Sequence, residues 1–345
     1  MNNFFRITIL LLFFTLISCD NDDNNNTSQP EGDYVNGILV LNEGGFNGSS
    51  GITFISDDLN RVEQDVFSTV NDGQELGLFP QSIFFDLNGL AYIISNGSNL
   101  ITVVSRFNFQ KVAEINTGLD VPRYGAVLDG KAYVTNQASF DTGADDFVSV
   151  INLSDFSVET TIPLTKTAEY IVSDGIKLYV QNASFGVGSE ITVIDPANNS
   201  IETTIETGDG LQSIHINAST IYAHHNTGID RISTSSLEVT STINFPAGLG
   251  AISQLDISDG QFYYLSNNNV YTTSIVDNSL SDQPIFSYDA SAPSSVYGFE
   301  VNQNLIYIGD ALDFASDGKV VVFDTDGNQV FETTVGLNPN GFYFN

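Results

Sequence analysis

Histidine is scarce in this chain, and two of its three copies stand side by side at His224 and His225. With His215 they are the residues best suited to metal binding or acid–base catalysis, because imidazole titrates near neutral pH. Neighbouring residues on a strand point to opposite faces, so only one of the pair can face a shared site. No other residues have zinc-site spacing, and no G-x-S-x-G nucleophile motif precedes a helix. We predict no catalysis, no cofactor and no metal; the alternative is a lactonase or hydrolase that uses His224 or His225.

A second candidate for chemistry is Arg123, which stands between Pro122 and Tyr124. The chain has 10 Lys and Arg residues, and after Arg6 of the N-terminal segment is set aside nine remain. A guanidinium in such a position could hold a phosphate or carboxylate of a ligand. It could equally pair with one of the many acidic side chains, and the sequence leaves both interpretations open.

The overall charge limits the classes of partner. The chain has 42 Asp and Glu residues and a formal charge of −32, which repels a phosphate backbone and argues against nucleic-acid binding. One cysteine in 345 residues excludes a disulfide framework or a thiolate metal site. The hydrophobic share of 41%, with 25 Phe and 14 Tyr, is enough for a large core.

The N-terminal segment is typical of a processing signal. Arg6 precedes a mainly apolar run of 11 residues, Ile7 to Ile17, which is too short to span a bilayer. The run ends in Leu16-Ile17-Ser18-Cys19, which looks like a bacterial lipobox with the chain's one cysteine at the lipidation position. We therefore predict a signal peptide over 1–18, lipidation and membrane attachment at Cys19, and a flexible acidic tether over 19–33. An ordinary signal peptide that happens to end near a cysteine is the alternative.

A repeat of about 42 residues runs through the remainder of the chain. Its most regular member is a tyrosine inside an apolar strand, and these tyrosines are separated by 41, 46, 43, 41 and 44 residues. They are Tyr92, Tyr133, Tyr179, Tyr222, Tyr263 and Tyr307. A degenerate seventh copy stands at 37–40, and Asp-Gly or Asn-Gly pairs mark tight hairpins between strands. Seven copies of a repeat of this length predict an all-β fold, a seven-bladed β-propeller over 34–345 with four strands per blade.

The ends of the chain are expected to meet in one sheet. The N-terminal copy lacks the innermost strand that opens the other blades, and Gly341-Phe342-Tyr343-Phe344 resembles that missing strand. We predict that the C-terminal strand completes blade 1 and closes the ring.

A ligand site is predicted from two sets of loops that share one face of a propeller. One set leads into each blade, and the other joins the second strand of each blade to the third and begins mostly at Asn or Asp. Four loops of the second set add a Phe, which favours a mouth of aromatic rings and amides for a large, mostly uncharged ligand. For each position the alternative is that Asn or Asp only turns the chain. The candidate residues are Asn42, Glu43, Phe46, Gln81, Asn96, Arg123, Tyr124, Asn136, Phe140, Tyr170, Asn182, Phe185, Gln212, His225, Gln254, Asn267, Tyr297, Asp310 and Phe314.

Three segments carry a resemblance to a known family: 37–46, which contains Asn42-Glu43-Gly44, then Pro80-Gln81-Ser82-Ile83, then Pro122-Arg123-Tyr124. Together they resemble the YncE-like surface propeller lipoproteins of Bacteroidetes, a group that includes the cobalamin-capturing lipoprotein of the outer-membrane vitamin B12 transporter. The acidic patch after Cys19 likewise resembles the surface-export signal of such lipoproteins. The resemblance implies a seven-bladed fold, a place on the cell surface and no catalysis. It also implies that a ligand such as cobalamin is held on the loop face against a TonB-dependent transporter.

Three functions follow from these observations. The first is a surface lipoprotein that captures a bulky nutrient and delivers it to a TonB-dependent transporter. The second is a scaffold that binds carbohydrate or another protein, and the third is the propeller lactonase or hydrolase described above.

Overall fold

The computed structural model describes residues 32–345 except 47, 48, 141 and 293. In this part of the chain, 28 strands form seven sheets of four antiparallel strands each. The predicted signal peptide, Cys19 and nearly all of the predicted tether lie outside the described residues. None of the helices among the described residues has the length and apolarity needed to cross a bilayer.

The strands are short and follow one another in the order of the repeat. In chain order they are β1 (Gly37–Asn42), β2 (Gly51–Ser56), β3 (Val62–Glu63), β4 (Pro80–Phe85), β5 (Leu90–Ser95), β6 (Leu100–Ser105), β7 (Lys111–Ile115), β8 (Pro122–Leu128), β9 (Lys131–Asn136), β10 (Phe147–Asn152), β11 (Val158–Pro163), β12 (Ile171–Ser173), β13 (Leu178–Ser184), β14 (Val187–Asp195), β15 (Ser200–Glu206), β16 (Ser213–Asn217), β17 (Thr220–His225), β18 (Gly228–Ser233), β19 (Glu238–Asn244), β20 (Gln254–Ser258), β21 (Gln261–Ser266), β22 (Asn269–Ser274), β23 (Phe286–Ser287), β24 (Val296–Asn302), β25 (Leu305–Asp310), β26 (Asp317–Asp324), β27 (Gln329–Leu337) and β28 (Pro339–Phe344). One helical turn, α1 (Val66–Val70), and two 3-10 turns, Asn96–Ser98 and Gly143–Asp145, complete the elements.

The sheets are arranged as the blades of a propeller. Blade 1 consists of β28, β1, β2 and β3, and blades 2 to 7 each take the next four strands in chain order. The innermost strands β28, β4, β8, β12, β16, β20 and β24 each contact the next, and β24 contacts β28, so the ring is closed. The prediction of a seven-bladed β-propeller is confirmed.

Burial explains why each strand has its composition. The second strand of a blade is apolar on both faces because another blade packs against each side; β1, for example, is buried along its whole length. The outermost strands alternate only weakly between buried and exposed residues. In β19, for example, five consecutive residues of the seven are exposed. This exposure explains why the outermost strands are rich in Thr, Ser and Glu. The repeat tyrosines lie between blades, and the Tyr92 hydroxyl donates to Asp86 (3.1 Å) in the hairpin that precedes its strand.

The two chain ends share blade 1 as predicted. Strand β28 pairs antiparallel with β1, with Val40 opposite Phe342 and Ile38 opposite Phe344. The Phe342 ring is only 4% exposed and packs with residues of blades 7 and 1. From blade 2, the Arg106 guanidinium donates to the Phe344 carbonyl (2.6 Å), so the last strand is held from both sides.

The predicted hairpins also form. At Asp129-Gly130 and Asp259-Gly260 both residues have positive φ, between 48° and 74°. This is the backbone of a type I′ turn, which matches the twist of the two strands it joins. These hairpins join the first and second strands of blades 3 and 6, so they lie at the end of the ring opposite the loops between second and third strands.

Candidate functional site

A cavity of about 470 Å³ opens on the loop face at the centre of the ring. Its wall comes from the beginning of the innermost strands and from the loops that lead into them. The candidate residues that line it are Gln81, Arg123, Tyr124, Tyr170, Phe185, Gln212, Gln254 and Tyr297. All of them except Phe185 stand near the first position of an inner strand, and the seven inner strands meet around one axis. Phe185 reaches the cavity from the loop between β13 and β14.

Arg123 is held by protein groups. Its Nη2 and Nε atoms lie 2.7 and 3.3 Å from the two carboxylate oxygens of Glu169, and Nη1 donates to Gln81 Oε1 (2.5 Å). The side chains of Arg123 and Glu169 are 12% and 7% exposed. Burial raises the pKa of Glu169, and Arg123 opposes that rise. Of the two interpretations left open by the sequence, the geometry is that of an internal ion pair.

Two tyrosines of the cavity wall lie beside this ion pair. The rings of Tyr124 and Tyr170 lie 4.1 Å apart with an interplanar angle of 31°. The Tyr124 hydroxyl accepts a hydrogen bond from Gln81 Nε2 (3.0 Å), and Asn96 Nδ2 donates to Gln81 Oε1 (3.0 Å). Asn96 therefore lies behind the cavity wall and positions one of its lining residues.

The opposite side of the mouth is built from blades 7 and 1. The Tyr297 hydroxyl donates to the Glu43 carboxylate, and this acid together with burial raises the pKa of Tyr297. The Phe314 ring packs edge-on against Tyr297 with centroids 5.6 Å apart. Glu43 and Phe314 are thus adjacent to the cavity through Tyr297.

Of the other predicted residues that follow second strands, three Asn side chains lie inside their own blades. Asn42 donates to Thr53 (3.0 Å), Asn136 donates to Ser149 (2.9 Å), and Asn182 accepts from Thr192 (2.6 Å). Each bond joins the end of the second strand to the third strand, and these three Asn side chains are at most 5% exposed. Asp310 is fully buried and accepts from the Tyr288 hydroxyl (2.7 Å). Asn267 has a φ of 49° and forms a two-residue hairpin with Asn268.

The four loop phenylalanines remain in solvent. Phe46 is 91% exposed, Phe185 88%, Phe140 68% and Phe314 44%. Phe46 contacts one neighbouring ring, that of Phe79, at a centroid distance of 5.1 Å. Because each Phe follows the second strand of its blade, all four lie at the end of the ring where the cavity opens. Exposed aromatic rings around a concave site are typical of a binding surface.

The histidines separate as strand geometry requires. His224 lines the cavity, whereas His225 is 3% exposed inside blade 5 with Nε2 3.6 Å from Asp230 Oδ1. The candidate residue His225 thus occupies the position that Asn42, Asn136 and Asn182 occupy in other blades. Among the described residues, no three His, Cys, Asp or Glu side chains lie close enough together to hold a metal ion.

Three titratable side chains lie together deeper on the axis, and of these only His215 was a candidate from the sequence. His215, Asp256 and Glu300 each lie seven residues before a repeat tyrosine and pair with it across the sheet. Burial, the Asp256 charge and a hydrogen bond to Asp256 raise the pKa of Glu300 well above its usual range. Asp256 Oδ2 also accepts from the Val301 amide (2.7 Å). The raised pKa favours the protonated form of Glu300.

The raised pKa of Glu300 gives a pH-dependent prediction. An acid whose pKa is raised by folding stabilises the folded state only while it is protonated, and this contribution is lost as pH rises above the unfolded value. Glu300→Gln keeps the shape and cannot ionise. We expect the variant to melt at the same temperature as the wild type at about pH 4, and at a higher temperature at about pH 7.5. A lower melting temperature of the variant at about pH 7.5 would show that Glu300 is ionised in the folded protein.

Solved structures with the same architecture are numerous, and their identities to this chain are low. One is a quinonprotein alcohol dehydrogenase-like protein from Bacteroides thetaiotaomicron, with a TM-score of 0.68 and 14% identity over 90% of this chain and 78% of that one. Another is a functionally unknown protein from Desulfotomaculum acetoxidans, with a TM-score of 0.69 and 12% identity over 90% and 98%. Similarity at this level is evidence for the propeller fold alone. No curated protein matches the chain.

The family assignment comes from a match to a family model described as a domain of unknown function. The match covers residues 36–309, which is most of the chain and reaches from blade 1 into blade 7. The chain therefore belongs to the DUF5074 family.

Proposed function

We propose that the protein is a binding protein without catalytic activity, which captures a bulky, mostly uncharged nutrient on its loop face. The observation that carries this proposal is the set of exposed rings on the loop face, Phe46, Phe185 and Phe314, of which Phe185 lines a polar cavity. Ring faces supply contact area at little entropic cost, and amides inside the mouth supply orientation.

The charges at the mouth support an uncharged ligand. Arg123 is the lining residue with a permanent positive charge, and Glu169 already neutralises it at 2.7 Å. An anionic ligand would have to displace Glu169, which would leave a buried carboxylate without its partner. A ligand with amide or hydroxyl groups instead meets Gln212, Gln254 and Asn340, whose side chains line the same cavity.

Cobalamin is the ligand we propose, on the strength of the resemblance of 37–46 and of Pro122-Arg123-Tyr124 to the YncE-like lipoproteins. A corrin is larger than the cavity, so it would lie across the mouth with its ring against the phenylalanines and its amides towards the glutamines. Calorimetric titration with cyanocobalamin, together with its visible spectrum, tests this ligand. If cyanocobalamin produces no heat and no spectral change at micromolar protein, cobalamin is excluded as the ligand.

A variant at the rim tests where the ligand sits. Phe185→Ala is expected to weaken cyanocobalamin binding about 10-fold or more, because a central aromatic contact contributes on the order of 1–3 kcal/mol. The matched control is Ile176→Ala, since Ile176 is 72% exposed in the hairpin between β12 and β13, away from the loop face. Equal affinities for Phe185→Ala and the wild type would place the ligand elsewhere.

We further propose that the protein is anchored by a lipid at Cys19 on the outer surface of the outer membrane and delivers its ligand to a TonB-dependent transporter. Cys19→Ala should release the protein from the membrane fraction, and crosslinking from loop-face positions should recover the transporter. Recovery of a polysaccharide or of an unrelated protein would favour the scaffold function instead.

Two contacts of one serine favour a second candidate function, hydrolysis in the same cavity. The Ser213 hydroxyl lies 3.2 Å from His215 Nε2 and 3.4 Å from His224 Nδ1. Burial lowers the pKa of His224 to about 3, so its ring is neutral and can accept a hydrogen bond from the serine, but it is a weak base, which argues against hydrolysis. Turnover of lactone or ester substrates that is lost in Ser213→Ala would establish a hydrolase; we expect no turnover by the wild type.

A further inference from the structure

A second concave site lies between the long loops of blades 3 and 4, beside the axial cavity. Its volume is about 320 Å³, and it shares Ser184 and Phe185 with that cavity. Its floor contains Gln137 and Asp146, and its walls contain Phe140, Phe185 and Val187. We call it the blade 3–4 groove.

Two acceptor atoms on the floor of the groove lack partners. Gln137 Nε2 donates to Glu169 (2.5 Å), and its Oε1 has no hydrogen-bond partner among the described residues. Asp146 Oδ2 accepts from the Ala168 amide (2.8 Å), and its Oδ1 is without a partner in the same part of the chain. Gln137 and Asp146 are 3% and 2% exposed. Buried polar atoms almost always have a partner, so two unpaired acceptors in one groove indicate a missing donor.

The walls of the groove have the opposite character. Phe140 is 68% exposed, Phe185 88% and Val187 75%. A bound water could satisfy the two oxygens but would leave these apolar surfaces in solvent. A ligand that fits both parts carries a donor at one end and an apolar body at the other.

The charged groups in and near the groove favour a positively charged ligand. Among the described residues, its lining contains Asp146 and no lysine or arginine, and the nearby Lys166 is paired with Glu190. Burial raises the pKa of Asp146 to about 6, and the charges of Asp145 and Glu169 add to this rise. A positive group beside Asp146 would favour its ionised form, and aromatic faces attract cations as well.

We propose that the blade 3–4 groove binds a primary ammonium group of an organic cation. The ammonium donates hydrogen bonds to Asp146 Oδ1 and Gln137 Oε1, and the hydrocarbon part lies against Phe140 and Phe185. This site is additional to the binding of a nutrient at the axial cavity and does not depend on it.

The probe for this site is 2-phenylethylammonium, titrated into the full chain by calorimetry or by ligand-observed NMR, with 2-phenylethanol as the neutral control probe. The wild type should bind the ammonium saturably and at least about 10-fold more tightly than the alcohol, since hydrogen bonds to charged groups exceed neutral ones. Absence of saturable binding, or equal binding of both probes, would overturn the proposal.

Variants locate the site. Asp146→Asn should weaken 2-phenylethylammonium binding about 10-fold or more, and its amide oxygen can still accept from Ala168, so the fold is kept. Asp145→Asn is the matched control, because it removes the same charge from an exposed neighbour; it should change affinity by less than about 2-fold. Phe140→Ala, at an exposed position with no risk to folding, should also weaken binding. Equal affinities for Asp146→Asn and Asp145→Asn would contradict the site.

Discussion

Removing residues 340–345 is expected to unfold the whole propeller rather than loosen one end. This segment forms almost all of β28, which supplies the inner strand of blade 1 and contacts the inner strands of blades 7 and 2. Its loss exposes Val40 and Tyr307, which are buried beside Phe342. No other strand of the closed ring covers the faces of blades 1 and 7 that β28 buries. The free energy lost with this strand is comparable with the whole stability of a folded domain, about 5–15 kcal/mol. Circular dichroism should show no cooperative melting transition for the truncated chain.

A point substitution measures the same contact in a chain that still folds. Phe342→Ala should lower the free energy of unfolding by about 3–5 kcal/mol, because the Phe342 ring is 4% exposed and leaves a cavity. Phe46→Ala is the matched control, since Phe46 is 91% exposed and should change stability by less than about 0.5 kcal/mol. Denaturant titration of both variants gives the comparison. Equal stabilities would mean that the C-terminal strand does not close the ring.

Arg123→Ala is expected to cost about 3–5 kcal/mol of stability, although Arg123 lies at the edge of a cavity. The substitution leaves the Glu169 carboxylate, 7% exposed, without the guanidinium that lies 2.7 Å away. Burial already raises the pKa of Glu169, so removal of Arg123 should raise this pKa further. The loss of stability should therefore grow as pH increases above the pKa of Glu169 in the unfolded chain. Denaturant titration at two pH values measures both effects.

The double variant Arg123→Met with Glu169→Met tests whether the stability lost in Arg123→Ala comes from leaving Glu169 without its partner. Replacing a whole buried ion pair by apolar residues is close to neutral for stability, whereas breaking it is costly. The double variant should therefore be more stable than Arg123→Ala by about 2 kcal/mol or more. Additive losses from the two positions would show that the pair is not coupled, and that Arg123 is free to bind an anionic ligand.

The fold was open to prediction because its signal is repeated. Tyr92, Tyr133 and Tyr179 recur at nearly constant spacing, and a repeat whose sheets can only be covered by neighbouring sheets implies a closed ring. The closing strand could be recognised because Gly341 to Phe344 has the pattern that opens the other blades.

The site was predictable only in part, for a physical reason. Residues such as Gln81, Tyr170 and Tyr297 begin inner strands, and strand position alone brings them to the axis. Asn42 and Asn136 follow second strands on the same face, but hydrogen bonds to the third strand hold them inside their blades. An Asn side chain can either line a cavity or bond to the neighbouring strand of its own blade, so the residue type alone does not show which of the two it does.

The deep axial residues were not recognised as one group because they differ in type. His215, Asp256 and Glu300 share only an offset of seven residues before the repeat tyrosine. Aligning the blades on Tyr222, Tyr263 and Tyr307 and comparing that position would have found them. The unpaired oxygens of Gln137 and Asp146 have no counterpart in the sequence, because they depend on what the folded loops leave unpaired.

Amide hydrogen exchange of the full chain, with and without cyanocobalamin, tests the capture of this nutrient on the loop face most directly. We expect slower exchange in the segments around Gln81, Tyr124, Tyr170 and Phe185, and unchanged exchange at the Asp129-Gly130 hairpin on the opposite end of the ring. Protection at that hairpin, or no protection anywhere at saturating ligand, would contradict it.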